Sequence, residues 1–286
     1  MSNERAASLG RHAKICGWVG AAALAAGLLT ARAGTLKARH PLPQGVKSPV
    51  LALELIRNPQ LVDQIARPDP PAQAGMPAPQ PRREREQLAR AIAIDTWAFI
   101  PAYTTFLVLV GWLVWQHGPR RVRPLGLIVI AATLGGAVFD LLENHEMLAL
   151  LTGPGDPRSP SVIKWVLLSL AIMCSTPIFL LGERHLLLQS IGYAGIAWAL
   201  WAGADGLLGV LWGNDQMIEA AAGRMATTFA LAVVFLLGLE PLKHGVLPAL
   251  DALADRWPFS KLATWLPLED KDRRESTSST WSLRTD

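Results

Sequence analysis

The sequence predicts an all-α polytopic transmembrane helix bundle: about six apolar helices, five if the first is a cleaved signal, with short interfacial amphipathic helices beside them. Three observations carry this. Of 286 residues, 51% are hydrophobic and only 17% charged, against about 25% in soluble domains. The charges are gathered into blocks between apolar runs, several of them near the ~20 residues that cross a bilayer as a helix. The two cysteines, Cys16 and Cys174, both fall in apolar runs and form no CxxC or disulfide framework. The net charge of +4 and pI near 9.3 fit loops retained on the cytoplasmic side and call for no nucleic-acid partner.

The first element, residues 1–33, carries Arg5, Arg11 and Lys14 before the apolar run Ile15–Thr30 and ends in the small-x-small triplet Ala31-Arg32-Ala33. That is the pattern of a secretory signal peptide or a signal-anchor. The run is short for a span. Either reading places residues 34–94 outside the cytoplasm. In that extracytoplasmic segment Val50–Ala66 has an amphipathic pattern broken by Asn58-Pro59, which predicts two short helices lying on the bilayer or closing over a site as a lid. Arg67–Pro81 is a Pro-rich linker. Arg82–Arg90 alternates charge as an N-terminal helix extension does.

The bundle itself spans residues 95–240. Its first helix runs from about Thr96 to Gln116, with Asp95 as N-cap or first-turn acid and Pro101 near the start. Arg120, Arg121 and Arg123 form a short basic connection, expected in the cytoplasm. The next helix, Leu125–Asn144, ends in Asp140, Glu143 and Asn144, which share one face with Thr133, Gly136 and Met147. Lys164 and Trp165 open the helix Val162–Leu181, which Pro177 should kink near its inner end. Asp205 stands in Ile191–Trp212 beside Gly203, Gly206 and Gly209, whose small size permits close packing. The final span, about Ala220–Leu239, contains Arg224. Residues 241–268 are expected as a cytoplasmic interfacial helix and 269–286 as a disordered tail, leaving the C-terminus cytoplasmic.

Alternating orientation brings Asp95, Tyr103, Asp140, Glu143, Asn144, Lys164 and Asp205 to the outer half of the membrane, with Trp97, Trp165 and Trp212 in the outer aromatic belt. The expectation is a shared polar pocket open outward. Ionisable groups inside a span are costly and usually functional. Several carboxylates against one lysine leave excess negative charge, to be met by a proton, with Glu143 the holder, or by a cation or cationic lipid headgroup. The alternative is an Asp140–Lys164 pair with Asn144 acting as glue between helices. Zinc is not expected, since His145 is the one histidine near the cluster, and no metal or other cofactor is implied. GxSxG, HExxH and Walker motifs are all missing from the sequence.

Three short motifs, Leu53-Glu54-Leu55-Ile56-Arg57-Asn58-Pro59-Gln60, Asp95-x3-Phe99-x3-Tyr103 and Asp140-x2-Glu143-Asn144, resemble those of uncharacterised multi-span bacterial integral membrane proteins. The resemblance implies an integral membrane location and a joint Asp95, Asp140, Glu143 and Asn144 constellation, and implies no activity; the location expected of the chain is the bacterial inner membrane. Three classes remain open: a binding protein for a cation, proton or lipid headgroup; a membrane-embedded enzyme acting on a lipid or polyprenyl substrate with Asp140 or Glu143 as acid/base; and a small transporter, which would require a homo-oligomer. Membrane lipid is the one partner expected of all three.

Overall fold

In the computed structural model, residues 3–35, 42, 45–66, 81–181 and 186–241 are described. The chain divides into two units, Met1–Leu239 and Glu240–Asp286. Past Pro241 the second lies outside the described residues, as do the 241–268 interfacial helix, the polar tail, most of the Pro-rich linker and the loop carrying Glu183, Arg184 and His185.

The protein is an all-helical membrane bundle. Among the described residues, six helices are long and apolar enough to span: Ser8–Ala33, Glu84–His117, Arg123–Thr152, Arg158–Leu180, Gln189–Trp212 and Asp215–Gly238. They are built from α1 (Asn3–Ala33), α4 (Pro81–Ile94) continued by α5 (Ile100–His117), α6 (Arg123–Thr152), α7 (Arg158–Cys174), α8 (Leu186–Trp212) and α9 (Asp215–Pro241). Two short helices, α2 (Pro49–Glu54) and α3 (Val62–Ile65), precede α4. The short connections make successive spans antiparallel neighbours, with α5 on α6, α6 on α7 and α7 on α8.

Helix ends depart from the sequence expectations in informative ways. α1 is 31 residues long rather than short, because Ser8–Lys14 continue the helix beyond the apolar run. It is packed into the bundle: Gly20 lies against Val233 and Phe106, and Gly17 against Leu237. α6 does not stop at Asn144 but continues to Thr152. At about 45 Å it exceeds a ~30 Å hydrocarbon core, so its acids sit inside the helix and not at its end. Asp95 is not an N-cap either, since the helix already begins at Pro81. Asp95–Phe99 form a π-turn, closed by Ile100 N–H on the Asp95 carbonyl. Its cause is Pro101, which has no N–H to give to the preceding turn. Pro177 acts similarly, turning the end of the fourth span into a 3₁₀ turn at Thr176–Leu180.

Glycines set the close approaches, as expected of Gly203, Gly206 and Gly209, which pack on Met173, Ser169 and Ile218. α9 closes the bundle through Phe229 on Phe106 and Phe235 on Phe179, both edge-to-face.

Residues 45–66 do not lie free on a bilayer surface. Leu51, Leu53, Leu55, Ile56, Val62 and Ile65 are buried against protein, each contributing about 1.5–3 kcal/mol. Asn58-Pro59 breaks the segment into two helices as the sequence indicated. It is fastened across the ends of the spans by Lys47 and Ser48 N–H to Glu219, Arg57 to the Gly213 carbonyl and Asp215, and Arg158 to the Leu55 carbonyl. Asp215, itself buried, takes Arg57 on one oxygen and Arg158 on the other, each at 3.4 Å.

Candidate functional site

The site forms where α2, α5, α6 and α7 meet. On α6, Asp140, Glu143 and Asn144 present one buried face. On α7, Ser161, Lys164 and Trp165 repeat the same i, i+3, i+4 spacing and are buried too. Gly136, one turn from Asp140, lets α6 approach Leu168 of α7. α5 contributes Tyr103 and α2 contributes Glu54.

Lys164 is the centre. Its ammonium lies 2.9 Å from Glu54 Oε1, 3.2 Å from Asp140 Oδ1 and 2.7 Å from Glu143 Oε2, and it also donates to Glu143 Oε1 at 2.8 Å. An ammonium has three hydrogens, and three carboxylates face them. Tyr103 donates to Asp140 Oδ2 at 2.8 Å. Glu54 Oε1 takes further hydrogen bonds from Ser161, at 2.8 Å, and from the Trp165 indole N–H. Glu54, Asp140, Glu143, Asn144 and Lys164 are between 1% and 6% exposed. Burial at this level makes each direct contact strong and each missing one costly.

Asp95 joins through an amide. Asn144 Nδ2 donates to Asp95 Oδ2 at 2.8 Å and to Thr96 Oγ1 at 3.0 Å. Asp95 also lies within electrostatic reach of Asp140, Lys164 and Glu54. Unlike those groups it is only partly buried.

The structure therefore brings six of the seven sequence candidates together: Asp95, Tyr103, Asp140, Glu143, Asn144 and Lys164. The seventh, Asp205, is a correction. Its carboxylate pairs with Arg224 of α9, and the Arg224 guanidinium lies 4.1 Å from the Trp201 ring centre. A strong cation was available on the adjoining helix, so Asp205 had no need of Lys164. One interface assignment also changes: Trp165 is buried, its indole N–H on Glu54, rather than standing in an aromatic belt, whereas Trp97 and Trp212 are exposed. The outward-open pocket is likewise corrected, because the carboxylates around Lys164 are covered by protein.

The sequence reading missed Glu54, Ser161, Trp165 and Thr96. Ser161 and Trp165 carried a usable signal, the spacing they share with Lys164. Glu54 carried a weaker one, a lone acid between leucines. No group of three or more His, Cys, Asp and Glu side chains among the described residues is arranged to hold a metal; around Lys164 the carboxylates converge on an ammonium.

No family model, curated protein or solved structure matches this chain. The site must be understood from its own geometry.

Proposed function

We propose that this chain is a multi-pass protein of a bacterial cytoplasmic membrane whose buried carboxylate cluster binds a proton or a small cation reached from the outer side. One observation carries the reading: three carboxylates share one ammonium in a protein interior. A charge excess in a poorly solvated site must be neutralised. A proton or a bare cation is small enough to do this where the carboxylates are covered. A headgroup, or a lipid substrate for an enzyme, would need a groove reaching Asp140 or Glu143, and the burial of both supports the binding reading over these.

The basic connection Arg120, Arg121 and Arg123 supports a cytoplasmic assignment for the opposite end of the bundle, and with it a cytoplasmic C-terminus. The packing of α1 supports its retention as an anchor rather than its removal. Reporter fusions after Gly118 and Gly155 test this orientation: the first should report cytoplasm and the second the outside. The reverse result would remove the outer-side assignment.

The binding reading is tested by infrared spectroscopy of the protein in liposomes during a pH titration, repeated with small cations replaced by a bulky organic one. A titrating protonated-carboxyl band that Glu143→Gln removes supports proton binding. A thermal midpoint that rises with a small cation supports cation binding. If neither appears, the cluster is glue between helices, a second reading that the contact of all three carboxylates with Lys164 supports.

A further inference from the structure

At the end of the bundle that holds the α5–α6 connection, α1 shows two different sides. Leu9, Ala13 and Cys16 are buried on protein. Arg11, Lys14, Ile15 and Trp18, at i, i+3, i+4 and i+7, stand exposed on the other side. The His12 ring lies 4.7 Å from Trp112 and 6.1 Å from His117, so this part of α1 packs beside the end of α5. The connection that follows carries Arg120 and Arg121, both exposed, and Arg123, half-buried. Arg123 Nε donates to the Gly118 carbonyl at 3.0 Å, which ties the guanidinium to the connection.

Tertiary packing thus gathers five cations from two distant parts of the chain. Residues 5–53 and 96–139, which contain both parts, hold no Asp or Glu. Among the described residues no ion pair engages any of the five. A second observation lies one to two turns deeper. Counted along α1 from Arg11, Ile15 is about 6 Å and Trp18 about 10 Å further into the membrane. Counted along α6 from Arg123, Leu127 and Ile128 are about 6–8 Å further in. These four are exposed, as is Trp115 near the end of α5. A layer of unopposed cations above a layer of exposed apolar side chains matches the two parts of a charged lipid.

We propose that α1 and the α5–α6 connection form a seat for an anionic phospholipid. Its phosphate sits among Arg11, Lys14, Arg120, Arg121 and Arg123, and its acyl chains cover the apolar layer. Arginine presents a fork that fits phosphate oxygens, and basic clusters beside spans attract anionic headgroups. A soluble phosphate would meet the cations and leave the apolar layer uncovered. The seat is independent of the carboxylate cluster around Lys164.

The full chain in detergent tests this by native mass spectrometry, with phosphatidylglycerol and phosphatidylcholine of the same acyl chains in competition. The wild-type protein should retain phosphatidylglycerol in preference. Arg11→Gln with Lys14→Gln, and separately Arg120→Gln with Arg121→Gln, should weaken phosphatidylglycerol by about fivefold for each cation removed at low salt, with phosphatidylcholine unchanged. Arg32→Gln, at the other end of α1, should change neither. Equal retention of the two lipids by the wild type overturns the proposal, and so does an equal loss in Arg32→Gln. Displacement of phosphatidylglycerol by an equal concentration of inorganic phosphate also overturns it, since the seat would then need no lipid. If neither double variant folds, a salt series on the wild type decides: screening of exposed charges should shrink the preference, and a preference indifferent to salt overturns the seat.

Discussion

Among the described residues, the charged assemblies at Asp205–Arg224 and around Lys164 solve the burial of charge in opposite ways. Asp205 and Arg224 pair one to one between α8 and α9, with side chains 16% and 23% exposed and Trp201 against the guanidinium. Charge is balanced there, and the ring supplies extra stabilisation for the cation. Around Lys164 three carboxylates share one ammonium in near-complete burial. The first arrangement is complete in itself and works as a clasp between neighbouring helices. In the second the carboxylates outnumber the ammonium, and burial penalises that excess negative charge. Intramembrane acids therefore cannot be judged one at a time; the ratio of charges in the assembled site separates the two cases.

The comparison can be broken at its strongest point by Lys164→Met. Removing this ammonium leaves three buried carboxylates facing one another, and loss of one partner of a buried pair costs about 3–5 kcal/mol. The expected outcome is little or no folded protein by size-exclusion chromatography in detergent. Normal yield would mean that the carboxylates are protonated or solvated without Lys164, and the contrast with Asp205–Arg224 would vanish.

Asp140→Leu should follow closely. It strands Tyr103 and removes one acceptor of Lys164, a loss of about 3 kcal/mol. Glu143→Gln should be milder, about 1–2 kcal/mol, because the amide keeps the size of the side chain and one oxygen for Lys164, and would be mildest if Glu143 carries a proton. Thermal midpoints of the two variants in detergent measure the difference. Equal damage at every pH would exclude Glu143 as the proton holder.

Glu54→Gln isolates the contribution of α2. The amide still accepts from Ser161 and Trp165 but loses its charge, so about 1–2 kcal/mol should be lost. A larger effect would mean that the apolar packing of residues 45–66 depends on this one carboxylate. The clasp gives the control: the double change Asp205→Leu with Arg224→Met removes both charges together and should cost under about 1.5 kcal/mol, since replacing a whole ion pair by apolar groups is often tolerated. Smallest of all is Arg57→Ala. That side chain is 53% exposed, and Arg158 still holds Asp215, so the midpoint should move by no more than an exposed pair allows, about 0–1 kcal/mol.

By itself the sequence determined the class of object, a count of five or six spans, and the local faces. Span length and hydropathy are properties of contiguous residues, as is the spacing that groups Asp140, Glu143 and Asn144. Proline and glycine positions likewise announced the break at Asn58-Pro59, the turn at Pro177 and the close packing at Gly203, Gly206 and Gly209. Only the tertiary structure decided the partners. Glu54 reaches Lys164 across 110 positions of sequence, carried there by the burial of leucines and isoleucines in 45–66 that a hydropathy pattern reads equally well as membrane-facing. Asp205 went to Arg224 because α9 returns beside α8, which no local pattern encodes. Asp95 became part of a π-turn and not a cap because helix propensity carried the chain through from Pro81, and Pro101 then forced the extra residue. Local periodicity says which side chains share a face. Which face meets which is set by the competition among helices for the same neighbours, and that competition is settled only when the whole bundle packs.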